Sequence, residues 1–274
     1  MTRKFNTVLV TGASSGMGKD FAARLLKDGY TVFAAARSTD KMTDLAEAGA
    51  HVIKMDITRD ADILAAVEQI TQQTGGVDVL INNAGYGQYG PVEETPVDTA
   101  RYQFEVNLFG LARVTQLLLP AMRRNGKGLI VNISSMGGKI YTPLGAWYHA
   151  TKHALEGWSD SLRLELEPHG IDVTIIEPGL IRTGFADALG DNMKGNRDGP
   201  YGALIEALTK ASQESYDAGT GSPPSVITDV VQRVIRADRP RTRYAAGAMG
   251  RPLLALRWLL PDRLFDRLVM SQVR

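Results

Sequence analysis

Short apolar runs alternate with segments of helical periodicity from Phe5 to Ile176. This alternation is typical of parallel strands joined by crossover helices, because each helix carries the chain back to the start of the next strand. Helices then cover both faces of the sheet. The pattern therefore predicts an α/β fold with a single Rossmann-like, doubly wound parallel sheet. The predicted strands are Thr7–Val10, Thr31–Ala35, His51–Met55, Val79–Ile81, Leu129–Ile133 and Asp172–Ile176.

Helix start and stop signals lie between these strands. One helix is predicted to begin at Gly16 and another to cover Asp60–Gln73. A third is predicted to have Pro96 in its first turn, where a proline loses no hydrogen bond. The longest covers about Ala146–Glu167 and ends at a Pro-His-Gly sequence that cannot continue a helix. Because single α/β sheets often reach this chain length, we expect one domain over residues 1–274.

The regular alternation ends after Gly179. Residues 180–222 are rich in Gly, Asp, Asn and Ser, with one clear helical segment at about Tyr201–Tyr216. A segment of this kind that follows the end of a strand is a candidate lid over a site. We therefore expect residues 180–222 to close over the substrate.

The last residues, 245–274, form a predicted C-terminal extension. Within it, an apolar helical stretch rich in arginine covers about 251–270 and is interrupted by Pro261. It could form a wall of the substrate pocket, lie on a membrane surface, or pack on the body of the protein or on another subunit. We favour packing, because most amphipathic helices bury one face.

The composition excludes several functional classes. The formal net charge is +1 with no extended block of one sign, which gives no indication of nucleic-acid binding. The absence of cysteine excludes disulfides, thiolate nucleophiles and thiolate metal sites, and no metal site is predicted. Residues 1–10 contain no apolar signal-peptide core, and no segment is long enough to cross a bilayer. We therefore expect a cytoplasmic protein.

A glycine-rich turn follows the first predicted strand and opens the first helix. Residues without bulky side chains let the backbone approach a pyrophosphate, and the helix N-terminus offers N–H groups and a positive dipole end to the anion. Three glycines alone would be weak support, since such turns also serve plain chain reversal. The strand before and the helix after them favour dinucleotide binding. The predicted contacts are Gly12, Ser14, Ser15, Gly16, Met17 and Gly18.

The end of the second strand predicts the coenzyme. An acidic residue there would bind the ribose of NAD, but the sequence has Arg37 instead. A guanidinium group can bind a 2′-phosphate, so we predict NADP(H) in preference to NAD(H); the alternative is a solvated loop arginine. No basic residue lies between Gly12 and Gly18, so this prediction depends on Arg37. Asp56, followed by Ile57, could bind the adenine amino group or cap the next helix.

Tyr148 and Lys152 are four residues apart on the long helix and therefore share one face. Ser135 ends the fifth strand, at the sheet edge where open α/β sheets bind their ligands. A nearby ammonium group favours the phenolate form of a tyrosine. Tyr148 could then exchange a proton with a substrate oxygen that Ser135 binds. His149 points about 100° away along the helix, and we assign it no catalytic part.

These residues resemble the short-chain dehydrogenase/reductase family. The resemblance covers about Asn6 to Thr183, roughly two thirds of the chain. Several independent motifs occur in the same order as in the family, and chance does not account for such a match. The motifs are Thr11-Gly12-x-x-x-Gly16-x-Gly18, Asn82-Asn83-Ala84-Gly85, Asn107, Ser135, Tyr148-x-x-x-Lys152 and Pro178-Gly179.

The resemblance implies a role for individual residues. Tyr148 is the implied acid/base, and Lys152 lowers its pKa and holds the nicotinamide ribose. Ser135 orients the carbonyl group; it is preferred to Ser134 because it stands thirteen residues before Tyr148, the spacing of the family. Asn107 anchors a water that relays protons past Lys152. Further implied coenzyme contacts are Asn83, Ala84 and Gly85 on the adenosine side, where Asn82 and Asn83 could equally be turn residues, and Pro178, Gly179, Ile181 and Thr183 around the nicotinamide.

The resemblance also implies an oxidoreductase that interconverts a ketone or aldehyde and an alcohol. The tail, with Arg243-Tyr244, is similar to the branch containing 17β-hydroxysteroid and retinol dehydrogenases, which implies a hydrophobic small-molecule substrate that is steroid-, retinoid- or lipid-like. Family members pair through the helices that here hold Arg101–Met122 and Tyr148–Leu166, so we expect a homodimer or homotetramer. The alternatives are a non-catalytic NADP(H)-sensing or scaffold protein, which would be expected to lose Tyr148 or Lys152, and an epimerase or dehydratase.

Overall fold

The computed structural model describes residues 4–183 and 195–273. Its centre is a seven-stranded sheet in the order β3-β2-β1-β4-β5-β6-β7, and every neighbouring pair is parallel. The strands are β1 (Thr7–Thr11), β2 (Thr31–Ala36), β3 (His51–Lys54), β4 (Val79–Asn82), β5 (Gly128–Ile133), β6 (Ile171–Pro178) and β7 (Arg243–Ala246).

Ten α-helices are found among the described residues. They are α1 (Gly16–Lys27), α2 (Thr43–Glu47), α3 (Asp60–Thr74), α4 (Val97–Phe104), α5 (Gly110–Arg124), α6 (Ala146–Leu166), α7 (Gly202–Asp217), α8 (Ser225–Arg236), α9 (Gly250–Leu259) and α10 (Asp262–Met270). None of the described helices is both long enough and apolar enough to cross a membrane.

The sheet separates two hydrophobic cores, because successive side chains of a strand point to opposite faces. On one face, Val8 and Val10 of β1 pack in a cluster with residues of α1 and α8, including Phe21. On the other face, Leu9 and Phe33 pack in a cluster with residues of α3, α5 and α6. Burial on both faces explains why the strands read as continuous apolar runs.

The strand order reverses direction between β1 and β4. The chain builds outward from β1 to β2 and β3, then returns to place β4 on the other side of β1. The connections that follow β1 and β4 therefore leave the sheet in opposite directions and open a crevice at its carboxyl edge. The glycine-rich turn and the Asn83–Gly85 segment lie at this crevice.

The predicted fold class is confirmed, and each predicted strand lies within a residue or two of an observed one. Pro96 is the N-cap residue of α4, one position before its first turn. The helix expected at Tyr201–Tyr216 is α7, and the C-terminal stretch forms α9 and α10, separated at Pro261. The sequence analysis missed β7, α2 and α8. Residues 184–194 of the expected lid lie outside the described residues.

Leu80 offers a test of the core. It is fully buried in the central strand β4, whereas Leu64 on α3 is 44% exposed. We expect Leu80→Ala to lower the free energy of unfolding by about 2–5 kcal/mol, because it removes buried methyl groups and leaves a cavity. Leu64→Ala, the matched control, should change it by less than about 1 kcal/mol. Urea denaturation checks this, and equal losses for both variants would contradict the described core.

Candidate active site

The turn after β1 can accept a phosphate group. Gly12 has a φ of +67°, and a Cβ there would lie 2.8 Å from Cα of Ala84. A Cβ on Gly18 would lie 2.4 Å from the Gly12 carbonyl oxygen. Both positions therefore require glycine. Ser15, the N-cap of α1, makes no side-chain capping hydrogen bond, which leaves the first N–H groups of the helix without a side-chain acceptor and suits an anion.

The loop after β4 is tied to this turn by hydrogen bonds. The Thr11 hydroxyl accepts from the backbone N–H groups of Asn83 and Ala84, both at 3.1 Å. Nδ2 of Asn83 donates to the carbonyl oxygens of Thr11 at 3.0 Å and Gly12 at 3.3 Å. Asn83 therefore holds the glycine turn in position.

A cavity of about 560 Å³ lies along this edge of the sheet. Its volume suits a nucleotide-sized ligand, and the turn, the end of β2 and the end of β3 all contribute to its wall. Gly18, Tyr148, Lys152, Pro178, Gly179 and Ile181 are not among its lining residues. The predicted coenzyme residues that do line it are Gly12, Ser14, Ser15, Gly16, Met17, Arg37, Asp56, Ile57, Asn83, Ala84, Gly85 and Thr183.

Arg37 and Asp56 stand at the same end of this cavity. Arg37 is exposed, and its Nη1 lies 3.4 Å from the Tyr102 hydroxyl. One oxygen of Asp56 accepts hydrogen bonds from Thr58, and the N-cap of α3 is Arg59, so Asp56 is not the helix cap. Burial raises the pKa of Asp56, but the Thr58 hydrogen bonds and the nearby arginines outweigh it and keep the pKa below its ordinary value.

Ser135, Tyr148 and Lys152 come together at the carboxyl edge of β5. Tyr148 is buried on α6, and a side-chain hydrogen bond joins it to Ser135. Oγ of Ser135 also accepts from the backbone N–H of Gly137 at 3.0 Å, which fixes the serine at the start of a short turn. Nζ of Lys152 is buried one helical turn from Tyr148 and donates to the Ile133 carbonyl at 2.9 Å.

Burial controls the protonation of this group. It raises the pKa of Tyr148 above the ordinary phenol value, and the hydrogen bond from Ser135 opposes that shift. Burial also lowers the pKa of Lys152 to about 8, and the negative charge of Glu156 opposes this shift. Tyr148 therefore carries its proton at neutral pH, and Lys152 keeps its positive charge up to about pH 8.

Asn107 lies between α4 and α5, where the chain makes a π-helical turn over Glu105–Phe109. Such a turn inserts an extra residue into a helix and is frequent at functional sites. Nδ2 of Asn107 donates to the Tyr86 carbonyl at 2.9 Å and to the Thr151 hydroxyl at 3.0 Å, and its Oδ1 accepts from the Tyr86 N–H at 3.0 Å. The side chain is thereby fixed between the loop after β4 and α6.

The residues expected around the nicotinamide are divided by the structure. Thr183 lies beside the glycine turn, with its side chain 3.5 Å from where a Cβ of Gly16 would stand. Gly179 instead meets the chain after β7, because a Cβ there would lie 2.1 Å from the Ala248 carbonyl oxygen. Ile181 packs against the core and forms a bridge with Ser222.

Two aromatic side chains that the sequence analysis left without a role lie beside Tyr148. His149 bridges two loops: its Nε2 accepts from the Thr142 N–H at 3.1 Å, and its Nδ1 lies 2.9 Å from the Gly137 carbonyl and donates to it. Burial lowers the pKa of His149, in agreement with this neutral form. The Tyr89 ring lies 5.7 Å from that of Tyr148 and is half-buried. Both help to fix the loops around the phenol.

A buried cluster of charges behind Lys152 was also missed. Glu156, one turn further along α6, binds Lys139 at 3.2 Å and Nε of Arg243 at 3.0 Å. Arg243 also contacts Asp160 and Glu177. The spacing Tyr148, Lys152, Glu156 could have indicated this arrangement, since all three share a helix face. Within the part of the chain that the structure describes, no three His, Asp or Glu side chains are arranged to hold a metal ion.

Comparison with known proteins agrees with this arrangement. Residues 6–194 match the short chain dehydrogenase family. An NADPH-dependent 3-dehydrocapnine reductase of Ornithobacterium rhinotracheale is 32% identical over 97% of this chain and 96% of its own. A 3-ketodihydrosphingosine reductase of Bacteroides thetaiotaomicron is 32% identical over 94% of both chains. The crystal structure of a short-chain dehydrogenase from Streptomyces avermitilis is 33% identical, with a TM-score of 0.82 over 99% of this chain and 97% of its own.

The chain therefore belongs to the short-chain dehydrogenase/reductase family. It is an oxidoreductase that acts on CH–OH or carbonyl groups with NAD(P), and it binds a small-molecule substrate together with the nucleotide. The glycine turn, the uncapped start of α1 and the cavity beside them fit such a dinucleotide.

Gly12 tests the nucleotide turn. We expect Gly12→Ala to weaken NADPH binding by more than about tenfold, because the new Cβ would meet the Ala84 backbone and a side chain at positive φ is strained. Gly49→Ala is the matched control, since its φ is +97° but no atom lies within 4 Å of the added Cβ. Fluorescence titration with NADPH measures both. Equal affinity of Gly12→Ala and the unmodified chain would contradict the assignment of this turn.

Proposed function

We propose that this chain is an NADP(H)-dependent carbonyl reductase or alcohol dehydrogenase in which Tyr148 is the catalytic acid and base. The observation that carries the proposal is the hydrogen bond between buried Tyr148 and half-buried Ser135, one helical turn from the buried ammonium of Lys152. These three groups stand at the sheet edge where α/β folds bind their ligands. The bound dinucleotide supplies or accepts the hydride.

The residues divide the work around the substrate oxygen. In reduction, Ser135 donates a hydrogen bond to the carbonyl oxygen and polarises it, and Tyr148 delivers its proton to the oxygen as negative charge develops there. In oxidation the same phenol, once ionised, removes the proton of the alcohol. Lys152 stabilises the phenolate by its charge and would hold the ribose hydroxyls. Asn107 would hold the water through which Tyr148 recovers its proton.

For the coenzyme, NADP(H) in preference to NAD(H) is part of the proposal. The guanidinium of Arg37 lines the cavity at the end of β2, where a carboxylate would select NAD. Asp56, which is anionic, stands at the end of β3 and has one oxygen engaged with Thr58, so its other oxygen suits the adenine amino group. The relative named an NADPH-dependent reductase supports this preference.

A hydrophobic ketone or alcohol of steroid, retinoid or lipid type is the substrate class that we propose. The loop before α6 carries two buried apolar side chains, Ile140 and Leu144. Leu144 has a φ of +62°, an uncommon conformation for a leucine, and such strain is concentrated at functional segments. Two relatives whose names specify a 3-dehydro and a 3-keto substrate also support a ketone. Residues 180–222 remain the proposed lid.

We further propose a cytoplasmic homodimer or homotetramer, built on one domain over residues 1–274 with a C-terminal extension at 245–274. The helices expected to pair carry large apolar side chains that are exposed in the single chain: Phe109 is 52% and Leu164 66% exposed. Burial of such side chains between subunits would be favourable. The chain contains no cysteine, and this composition is compatible with a reducing cytoplasm.

The pH dependence of the reaction tests the catalytic assignment. Reduction needs a protonated Tyr148 and a cationic Lys152, whose pKa is lowered to about 8. We expect kcat/KM for ketone reduction to be constant through neutral pH and to fall above about pH 8, whereas alcohol oxidation should rise with pH because it needs the phenolate. Steady-state absorbance of NADPH measures both directions.

Tyr148→Phe is the control for this profile. It should lose about 100-fold or more in kcat in both directions, because general acid–base catalysis contributes about 10²–10⁴-fold, while NADPH affinity stays nearly unchanged. Turnover of a ketone panel by Tyr148→Phe at the unmodified rate, or a reductive profile that rises between pH 7 and 9, would remove Tyr148 from the mechanism.

Arg37 tests the coenzyme preference. We expect Arg37→Ala to weaken NADPH by about 10–100-fold, because it removes charge-assisted hydrogen bonds to the 2′-phosphate, and to change NADH affinity little. Arg101→Ala is the matched control, since Arg101 is exposed, pairs with Asp98 and is not part of the cavity wall. Titration with both coenzymes measures the difference. Similar losses for NADPH and NADH would show that Arg37 does not bind the 2′-phosphate.

A further inference from the structure

Positive charge is concentrated at the C-terminal end of the chain. Residues 239–274 contain eight arginines, no lysine and two aspartates, a formal charge of +6. The whole chain carries +1, so the preceding 238 residues carry −5. Because no short stretch of the sequence contains a block of one sign, the net charge alone does not reveal this asymmetry. A segment of this charge attracts an anionic partner and steers its approach.

The inner face of α9 and α10 is seated firmly on the body. Phe265 is fully buried, and its ring packs against Tyr141 at 5.4 Å. The Tyr141 hydroxyl donates to Asp266 at 2.9 Å, and Arg257 lies over both rings and pairs with Asp262 at 2.9 Å. Both aspartates of the segment are therefore engaged, and the expectation that the segment packs on the body holds for this face.

The opposite face of α9 is uncovered and carries exposed apolar side chains next to Arg251. Arg251, Ala255 and Trp258 are spaced by four and three residues, so they lie in one row along the helix, and all are exposed. Trp258 is 84% exposed, and its neighbour Leu259 is 64% exposed. A tryptophan side chain with both an apolar ring and an N–H group is the residue type that membrane–water interfaces favour.

At its amino-terminal end, this face meets a cavity lined by arginines. The cavity has a volume of about 420 Å³ and lies between α8, β7 and α9. Arg243 turns inward to Glu156 and Asp160, whereas Arg233, Arg241 and Arg251 form no ion pair with any described residue. Nε of Arg251 donates to the Ala245 carbonyl at 3.1 Å, which fixes that guanidinium at the rim. Three uncompensated cations therefore converge where the apolar row begins.

We propose that this C-terminal face, defined as Arg233, Arg241, Arg251, Ala255, Trp258 and Leu259, docks the protein on an anionic phospholipid surface. The arginine cavity receives phosphodiester head groups, and Trp258 and Leu259 enter the boundary between head groups and acyl chains. A second copy of this chain fits the face less well, because two segments of charge +6 would repel each other. The site is separate from the nucleotide cavity, so docking is independent of the catalytic assignment.

Vesicle co-sedimentation of the full chain tests the proposal. We expect binding to vesicles that mix phosphatidylglycerol with phosphatidylcholine, weaker binding at high salt, and little binding to phosphatidylcholine alone. The triple variant R233Q/R241Q/R251Q should reduce partitioning about fivefold per arginine, since each basic residue near an anionic surface contributes about a factor of five. The double variant W258S/L259S should reduce it by about tenfold or more.

Matched controls separate docking from general effects. L64S removes an exposed leucine on α3, and R101Q removes an exposed arginine on α4. Both should bind vesicles like the unmodified chain, and all variants should keep the same thermal unfolding midpoint. Absence of binding to anionic vesicles at low salt, or binding that R233Q/R241Q/R251Q leaves unchanged, overturns the proposal. So does a loss of oligomer mass in W258S/L259S by light scattering without any vesicle binding, since the face would then belong to a second copy.

Discussion

The parallel pairing of β1 with β4 is the constraint on which the site depends. Because these strands run in the same direction, the residues that follow them leave at one edge, and the reversal of strand order keeps the two connections apart. Gly12 and Gly18 then hold the turn after β1 close to the loop after β4, where even one added Cβ would collide. The resulting crevice can accept a phosphate group, but positions 12 and 18 of the turn have no room for a side chain.

A second constraint is the burial of the ammonium group of Lys152. Burial in a region of low polarity is unfavourable for a cation, and the Ile133 carbonyl and the carboxylate of Glu156 both offset this cost. Glu156 is in turn held by Lys139 and Arg243, so its negative charge is fixed behind Lys152 and not free to reach Tyr148. Helix α6 thus carries the phenol of Tyr148, the cation of Lys152 and the anion of Glu156 at successive turns. The anion favours the protonated form of Lys152, and a cation beside a phenol favours its ionised form.

The sequence predicted the parts of this molecule that obey local rules. Strands buried on both faces read as apolar runs, the glycine turn has a strand before it and a helix after it, and a spacing of four residues places Tyr148 and Lys152 on one face. It could not predict β7, because Arg243–Ala246 is a short edge strand of mixed polarity that is defined by pairing with β6. Nor could it find the Glu156 cluster or the loop contacts of His149, since these depend on residues distant in the chain. Pro96 shows the same limit at smaller scale, as proline is compatible with both the cap and the first turn.

Arg243 belongs to two environments, and this explains how a surface rich in arginine can stand beside a buried acidic cluster. Its backbone is part of the edge strand β7, and its guanidinium reaches inward to Glu156, Asp160 and Glu177. The negative charges of that cluster are thereby neutralised from the C-terminal side, and they do not cancel the charge of Arg233, Arg241 and Arg251 at the rim. Had Arg243 been directed outward, Glu156 would lose one of its two cationic partners, and the environment of Lys152 would change. The orientation of this one side chain therefore keeps the charge of the outer surface and the charge of the reactive helix separate.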